Sequence, residues 1–285
     1  MAVVNTNISA SIAQAALARN ERALGTAMEQ LSTGRKINSA ADNASGLAIS
    51  ARMTSQIRGL DQAVRNANDA VSMVNTAEGA LDEINDMLQR IRELAVQSGT
   101  GTTSSNDRVY IDAEFDHLIA EIERVSANTE WNGRAIMAGA AGGAATVSGV
   151  TYQVGMDPSQ TIAVNFGNMA SDATMASLNG FSLDAATIAS AIAKSSQVIT
   201  AADVAIEAVS TQRATFGAVS NRLEHAIDNL TNVMTQSEAS RSRILDTDYA
   251  ASTSELARTQ IIQQAGTAML AQANQLPQTV LTLLQ

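Results

Sequence analysis

Cysteine is absent from the 285-residue chain, which removes disulfides, thiolate metal sites and cysteine nucleophiles together. Proline occurs only at Pro158 and Pro277, so little forbids very long helices. Aromatic residues make up 3% of the chain although 45% of it is hydrophobic. The apolar content is mostly Ala, Leu, Ile and Val, and Ala and Leu cost little to place in a helix. Basic side chains are few, 18 against 28 acidic ones, and only Lys36 and Lys194 are lysines. A net charge of −10 with no basic stripe or tail repels phosphate backbones and argues against a nucleic-acid partner. The first residues, Met1 to Ser9, hold no basic segment followed by an apolar one, so no cleaved secretory signal is expected. No run of about 18 apolar residues occurs, so no membrane span is expected either.

Groupings that carry chemistry are missing as well. There is no Walker-type phosphate loop and no GxSxG elbow. His117 and His225 are isolated, and one His alone has neither a metal partner nor an acid–base partner. Asp112, Glu114 and Asp116 are close in sequence, but i and i+2 point to different sides of a helix, and Glu121 with Glu123 fails for the same reason. No catalytic residue, metal ligand or cofactor is expected. Trp131, the one Trp, is expected to plug the core at a helix-to-hairpin junction.

What is present is a 4-3 spacing of apolar residues. It runs through Met53, Ile57, Leu60, Val64, Ala67, Val71 and Val74, and resumes at Leu81, Ile84, Leu88 and Ile91. Such a stripe asks for a partner helix. Residues 49–96 contain no proline, so at 1.5 Å per residue one helix could run roughly 70 Å. The segment Gly99 to Asn106 breaks it, and Ser104 followed by Asp107 resembles a helix start. A second stripe follows at Ile111, Phe115, Leu118, Ile122 and Val125. Asn132-Gly133 and the Gly/Ala tract at 138–145 then mark a loop. Val150, Tyr152 and Val154 alternate with polar residues, as do Ile162, Val164 and Phe166, which predicts a β-hairpin over 146–167. Heptads return with Ile192, Ile199 and Ile206, then Phe216, Val219, Leu223, Ala226, Leu230 and Val233.

The two ends share a peculiarity. Residues 1–18 carry no charged side chain, and Leu17, Leu24 and Leu31 repeat at seven. Residues 259–285 carry none either, yet Ile262, Gly266, Met269, Ala273, Leu276, Val280 and Leu283 keep the 4-3 spacing. Seven Gln in that last segment make it a poor membrane helix, because each amide needs a partner in lipid. A helix without charge is usually buried among other helices. The ends are therefore expected to pair with each other and to be covered further by other subunits. The fold class expected is mainly α: long antiparallel coiled-coil helices forming a rod, with a small β-hairpin near the middle of the chain.

Several strings carry a family resemblance. Residues 31–49, LSTGRKINSAADNASGLAI, resemble the N-terminal signature of the bacterial flagellins, and residues 88–98, LQRIRELAVQS, resemble their most recognisable helix segment. Asn128 to Gly133 resembles the family's turn into a hairpin, with Trp131 where Phe is more usual. Residues 217–224 and 276–284 are similar to its C-terminal region. The resemblance implies an extracellular subunit of the flagellar filament, a helical homopolymer that serves swimming. It also implies unfolded export through the flagellar type III apparatus, with an export chaperone and with cap and junction proteins as partners.

By the same resemblance, residues 1–44 and 240–285 would form an inner terminal coiled-coil domain. Residues 45–170 and 190–239 would form a rod domain, and residues 171–189 a short surface connection in place of outer domains. Leu17, Leu24, Leu31, Ile262, Met269, Ala273, Leu276, Val280 and Leu283 would form the assembly core. The resemblance further implies a patch of Gln89, Arg90, Glu93, Leu94, Gln97 and Glu114. That patch would serve subunit contact and recognition by the animal Toll-like receptor that senses flagellins. Arg90, Leu94 and Gln97 fall at i, i+4 and i+7, on one side of the helix. The rival within the superfamily is the hook–filament junction protein. A rival of another class, an intracellular coiled-coil scaffold, accounts for the heptads but not for ends without charge.

Overall fold

The computed structural model describes the backbone of residues 7–137, 149–167 and 177–282, and side chains as far as residue 275. The Gly/Ala tract at 138–145, residues 146–148 of the expected hairpin, residues 171–176 of the expected connection and Leu283 lie outside the described residues. So do the side chains of Leu276 and Val280. The elements are α1 (Ile8–Thr33), α2 (Ala40–Ser98), α3 (Ser105–Asn128), β1 (Glu130–Trp131), β2 (Arg134–Ala135), β3 (Gly149–Gln153), β4 (Thr161–Asn165), α4 (Ile188–Leu245) and α5 (Tyr249–Thr282). This is the mainly helical architecture expected, with small antiparallel strand pairs near the middle of the chain. The chain divides into two compact units, one of residues 1–57 with 235–285 and one of residues 58–234.

In the first unit, α1 packs along α5. Asn7 starts α1 by accepting a hydrogen bond from the Ala10 N–H, and Gly34 ends it in the left-handed region at φ 69°. A side chain at Gly34 would be strained there and would meet the Tyr249 hydroxyl. Beyond Gly34 the chain is tied to the α4–α5 connection: the Lys36 N–H donates to the Leu245 carbonyl and the Thr247 N–H to the Gly34 carbonyl. Asp42 accepts from the Asn38 and Ser39 N–H groups, which hold its carboxyl below the usual range. Asn43 is non-helical, and its side chain accepts from the Gly46 N–H, so the continuous part of α2 begins after it.

The second unit has one main core. On α2 the buried residues Leu60, Ala63, Ala67, Ala70, Val74, Ala77, Leu81, Ile84, Leu88, Ile91 and Ala95 form an unbroken 3-4 repeat, with Ile57, Met73, Leu94 and Ser98 buried beside it. The sequence stripe chose the bulkier Val64 and Val71, which are half-buried neighbours of Ala63 and Ala70. Alanine holds the inward seam at these positions, and the larger valines stand beside it. The same effect corrects α4, where the deeply buried residues of the first half are Ala191, Ser195, Val198, Ala202, Ala205 and Val209. Ile192 is instead 52% exposed, and Ile199 and Ile206 are half-buried. Phe216, Leu223 and Leu230 are buried as their spacing predicts. α3 adds Ile111, Phe115, Ile119 and Ile122, and it opens with the capping box expected of Ser104 and Asp107.

Strands β3 and β4 pair antiparallel with Tyr152 opposite Ile162 and Val150 opposite Val164. Ile162, Val164 and Phe166 are buried, and the Phe166 ring packs tilted against Phe216 at 5.5 Å between centroids. Asn66 donates to the Gln153 carbonyl and Gln212 to the Asn165 carbonyl, so the hairpin is held by both α2 and α4. The Tyr152 hydroxyl donates to the Met73 sulfur, and burial pushes its pKa up to about 12. Asn132-Gly133 is more than a loop mark. Both residues have positive φ and close a two-residue turn between β1 and β2, the conformation that Asn-Gly adopts most readily. Trp131, half-buried, packs on the main core at this junction.

The interval before α4 is also more than a surface connection. Leu178, Leu183 and Ala185 are buried, and Phe181 packs beside them. Their apolar side chains cover the end of the core next to α3, where Asp112 accepts from the Leu183 N–H and the Ser182 hydroxyl.

Candidate assembly surfaces

The α1–α5 seam is built from small and polar residues. Along α1 the buried or half-buried positions are Ala10, Ala13, Leu17, Asn20, Leu24, Ala27, Leu31 and, beside the last, Gln30. Along the described part of α5 they are Ser252, Leu256, Thr259, Gln263, Gly266, Leu270 and Ala273, with Glu255 beside Leu256. Leu17 lies over Gly266, where an added Cβ would stand 2.7 Å from its Cδ2, so the glycine is a hollow for that leucine. The Asn20 amide donates to the Thr259 carbonyl at 2.8 Å and to the Gln263 side chain at 3.0 Å. The Asn7 amide donates to the Ala273 carbonyl at 2.8 Å.

Leu17, Leu24 and Leu31 therefore stand on the seam, and so does Ala273. Ile262 and Met269 do not: they are 42% and 66% exposed. The C-terminal stripe grouped residues from two sides of α5. In a segment of apolar, small and amide residues several 4-3 stripes can be drawn, and α1 selects the one that offers Asn20 its partners. Asn20, Thr259 and Gln263 belong to the seam although an apolar stripe passes over polar residues. Spacing held the signal, since Asn20 follows Leu17 by three and precedes Leu24 by four.

Away from the seam, large apolar side chains stand in the open. Ile8, Ile12 and Met28 on α1 and Ile261, Ile262 and Met269 on α5 are all at least 42% exposed. Isolated exposed hydrophobics are ordinary, but a concentration on two helices with charge-free segments marks an interaction surface.

In the second unit Arg90 bridges two helices. Its guanidinium pairs with Glu93 at 2.9 Å on α2 and with Glu114 at 2.8 Å on α3, which raises its pKa. Gln89, Arg90, Glu93, Gln97 and Glu114 are exposed. Leu94 is not: it is 1% exposed and belongs to the core, because it lies beside Ala95 on the inward seam. Sequence spacing had placed it with Arg90 and Gln97, but the inward side of α2 is wide enough to take it.

Arg108 went unnoticed in the sequence. It is 2% exposed, and its guanidinium donates to the carbonyls of Ser98 at 3.2 Å and of Thr100 and Ala185 at 3.4 Å. It thereby caps the end of α2 from the start of α3 and ties both to the segment before α4. Among the described residues no group of three His, Cys, Asp or Glu could hold a metal ion, and no helix is long and apolar enough to cross a membrane. A shallow cavity of about 520 Å³ is lined by Phe181, Ala201, Val204 and polar neutral residues, with no titratable side chain. His117 and His225 are both exposed, on separate helices.

Comparison with known proteins gives these surfaces a context. Residues 4–141 match the bacterial flagellin N-terminal helical region, and residues 199–284 match the bacterial flagellin C-terminal helical region. A flagellin of Halalkalibacterium halodurans is 42% identical, the match spanning 99% of this chain and 100% of the relative. A flagellin of Bacillus subtilis is 41% identical over 99% of both chains. A flagellar filament 33 kDa core protein of Treponema phagedenis is 38% identical over 99% of this chain and 100% of its own. Among solved structures, a Bacillus cereus flagellin superposes with a TM-score of 0.50 at 28% identity, covering 58% of this chain and 88% of that one. A putative flagellar hook-associated protein from Vibrio parahaemolyticus superposes at 0.52 with 13% identity, over 72% of this chain and all of that one, a likeness of fold alone. From both terminal matches and end-to-end similarity at about 40% identity, the chain belongs to the bacterial flagellin family.

Proposed function

We propose that this chain is the structural subunit that polymerises into the bacterial flagellar filament, outside the cell, in the service of swimming. The observation that carries the reading is the α1–α5 pair: two helices with charge-free segments are joined by a thin, partly polar seam while large apolar side chains on both face outward. Neighbouring copies covering Ile8, Ile12, Ile261, Ile262 and Met269 would supply the burial that the seam does not. Until then leaving those faces in water costs the pair much of its stabilisation, so order at the chain ends depends on assembly. Residues 1–44 with 240–285 act as the terminal coiled-coil domain and residues 45–170 with 190–239 as the rod domain. Only residues 166–187 separate β4 from α4, too few for an inserted folded domain.

Export unfolded through the flagellar type III apparatus, aided by a chaperone, fits a chain with no disulfides to break. The exposed Gln89, Arg90, Glu93, Gln97 and Glu114 serve subunit contact and are the surface open to an animal Toll-like receptor. The junction-protein alternative draws only on a fold likeness at 13% identity, whereas relatives named flagellin match the chain end to end. Electron microscopy of purified protein after salting-out tests the reading. Tubular filaments are expected, and persistent monomers would overturn it.

A further inference from the structure

We infer that Asn20 and Gln263 form a register lock, the pair of side chains that holds one alignment along the α1–α5 seam beyond the Lys36–Leu245 and Thr247–Gly34 hydrogen bonds at its end. The inference deepens the filament reading and rests on it. A heptad seam is self-similar: sliding one helix by seven residues returns seam positions to seam positions. Here the seam is mostly Ala, Leu, Ser, Gly and Thr, so the apolar contacts alone distinguish the alignments weakly. Polar partners distinguish them sharply. Asn20 is 8% exposed, and its amide meets the Thr259 carbonyl and the Gln263 side-chain oxygen. Backbone carbonyls recur at every alignment, but the side-chain acceptor does not. The seam residues seven before and seven after Gln263 are Leu256 and Leu270. A slip in either direction therefore leaves one of the two Asn20 amide N–H groups against a leucine, where an unpaired buried donor is costly. Leu17 seated over Gly266 favours the same alignment.

The chain has no cysteine, so nitroxide labels can be placed cleanly at Gln14→Cys and Ser254→Cys, both exposed and on opposite helices. Full-length labelled chains, diluted in unlabelled parent chains and polymerised, give an intrachain distance by double electron–electron resonance. The otherwise unsubstituted chain should show one distance. In Asn20→Leu/Gln263→Leu, a second population should appear, displaced by about 10 Å, the rise of seven helical residues. In Gln263→Leu/Leu270→Gln, which moves the acceptor by one heptad, the main distance should lengthen by about 10 Å. A single unchanged distance in either variant overturns the lock. Exclusion of the double-leucine chain from filaments also overturns it, because leucines at both positions leave the seam able to pair. Failure of the labelled parent chain itself to polymerise counts instead against the filament reading.

Discussion

Arg108 offers a test in which two effects of opposite sign must be weighed. Removing its guanidinium takes donors from the carbonyls of Ser98, Thr100 and Ala185. Hydrogen bonds from charged donors contribute about 1.5–3 kcal/mol each at good geometry. At 3.2–3.4 Å these sit at the weak end, so together they contribute on the order of 3 kcal/mol. Against this, a charge 2% exposed has lost most of its water, and all three acceptors are neutral carbonyls. Relief of that cost returns part of the loss when the replacement fills the same space. Arg108→Met should therefore destabilise the unit of residues 58–234 by roughly 1–3 kcal/mol. Arg108→Ala loses about three methylenes of packing as well, at about 0.8 kcal/mol each, for a total nearer 4–5 kcal/mol. Urea unfolding followed by far-ultraviolet circular dichroism, at concentrations that keep the protein monomeric, reads both. With a slope near 3 kcal/mol per molar urea, the alanine variant should shift the midpoint down by roughly 1.5 M. An alanine variant within about 1 kcal/mol of the parent would refute the role given to Arg108, as would a methionine variant less stable than it.

Further outcomes follow from single features. Gly133→Ala should cost about 1–2 kcal/mol through backbone strain alone, since φ is 72° and an added Cβ meets nothing within 4 Å; the same unfolding experiment measures it. Arg90→Ala should leave the unfolding midpoint unchanged, because both its ion pairs are solvent-exposed, while lowering activation of receptor-bearing cells. Unchanged activation would remove the receptor role of the patch. Acid should weaken the helix starts: Asp42 and Asp107 have folded pKa values lowered by hydrogen bonds at their caps. Their contribution is complete above the unfolded value of about 4 and is lost as pH falls through the lower folded values, which a pH titration of helicity below pH 5 should show.

Much of this was legible in the sequence because heptad spacing is a geometric signal that survives without neighbours. The stripe from Leu81 to Ile91, the capping pair Ser104–Asp107 and the alternation of Ile162, Val164 and Phe166 all read directly. Several departures from the spacing share one physical cause. Bulk is a poor guide to burial here, because the inward seams of α2 and α4 take alanine and serine. Ala63, Ala70, Ala202 and Ala205 are buried while Ile192 is in the open. The same limit hides Asn20 and Arg108, polar side chains buried by partners distant in sequence. Leu178, Leu183 and Ala185 were unreadable for another reason: no period marks an irregular segment that caps a core.

The central claim is that the paired ends are the assembly device, separable from the rest of the fold. Deleting residues 259–285 removes Gln263, Gly266 and Ala273 from the seam and Ile261, Ile262 and Met269 from the outward face. The truncated chain, examined by electron microscopy after salting-out and by circular dichroism, should remain strongly helical and form no filaments. Filaments assembled from that truncated chain would contradict the account.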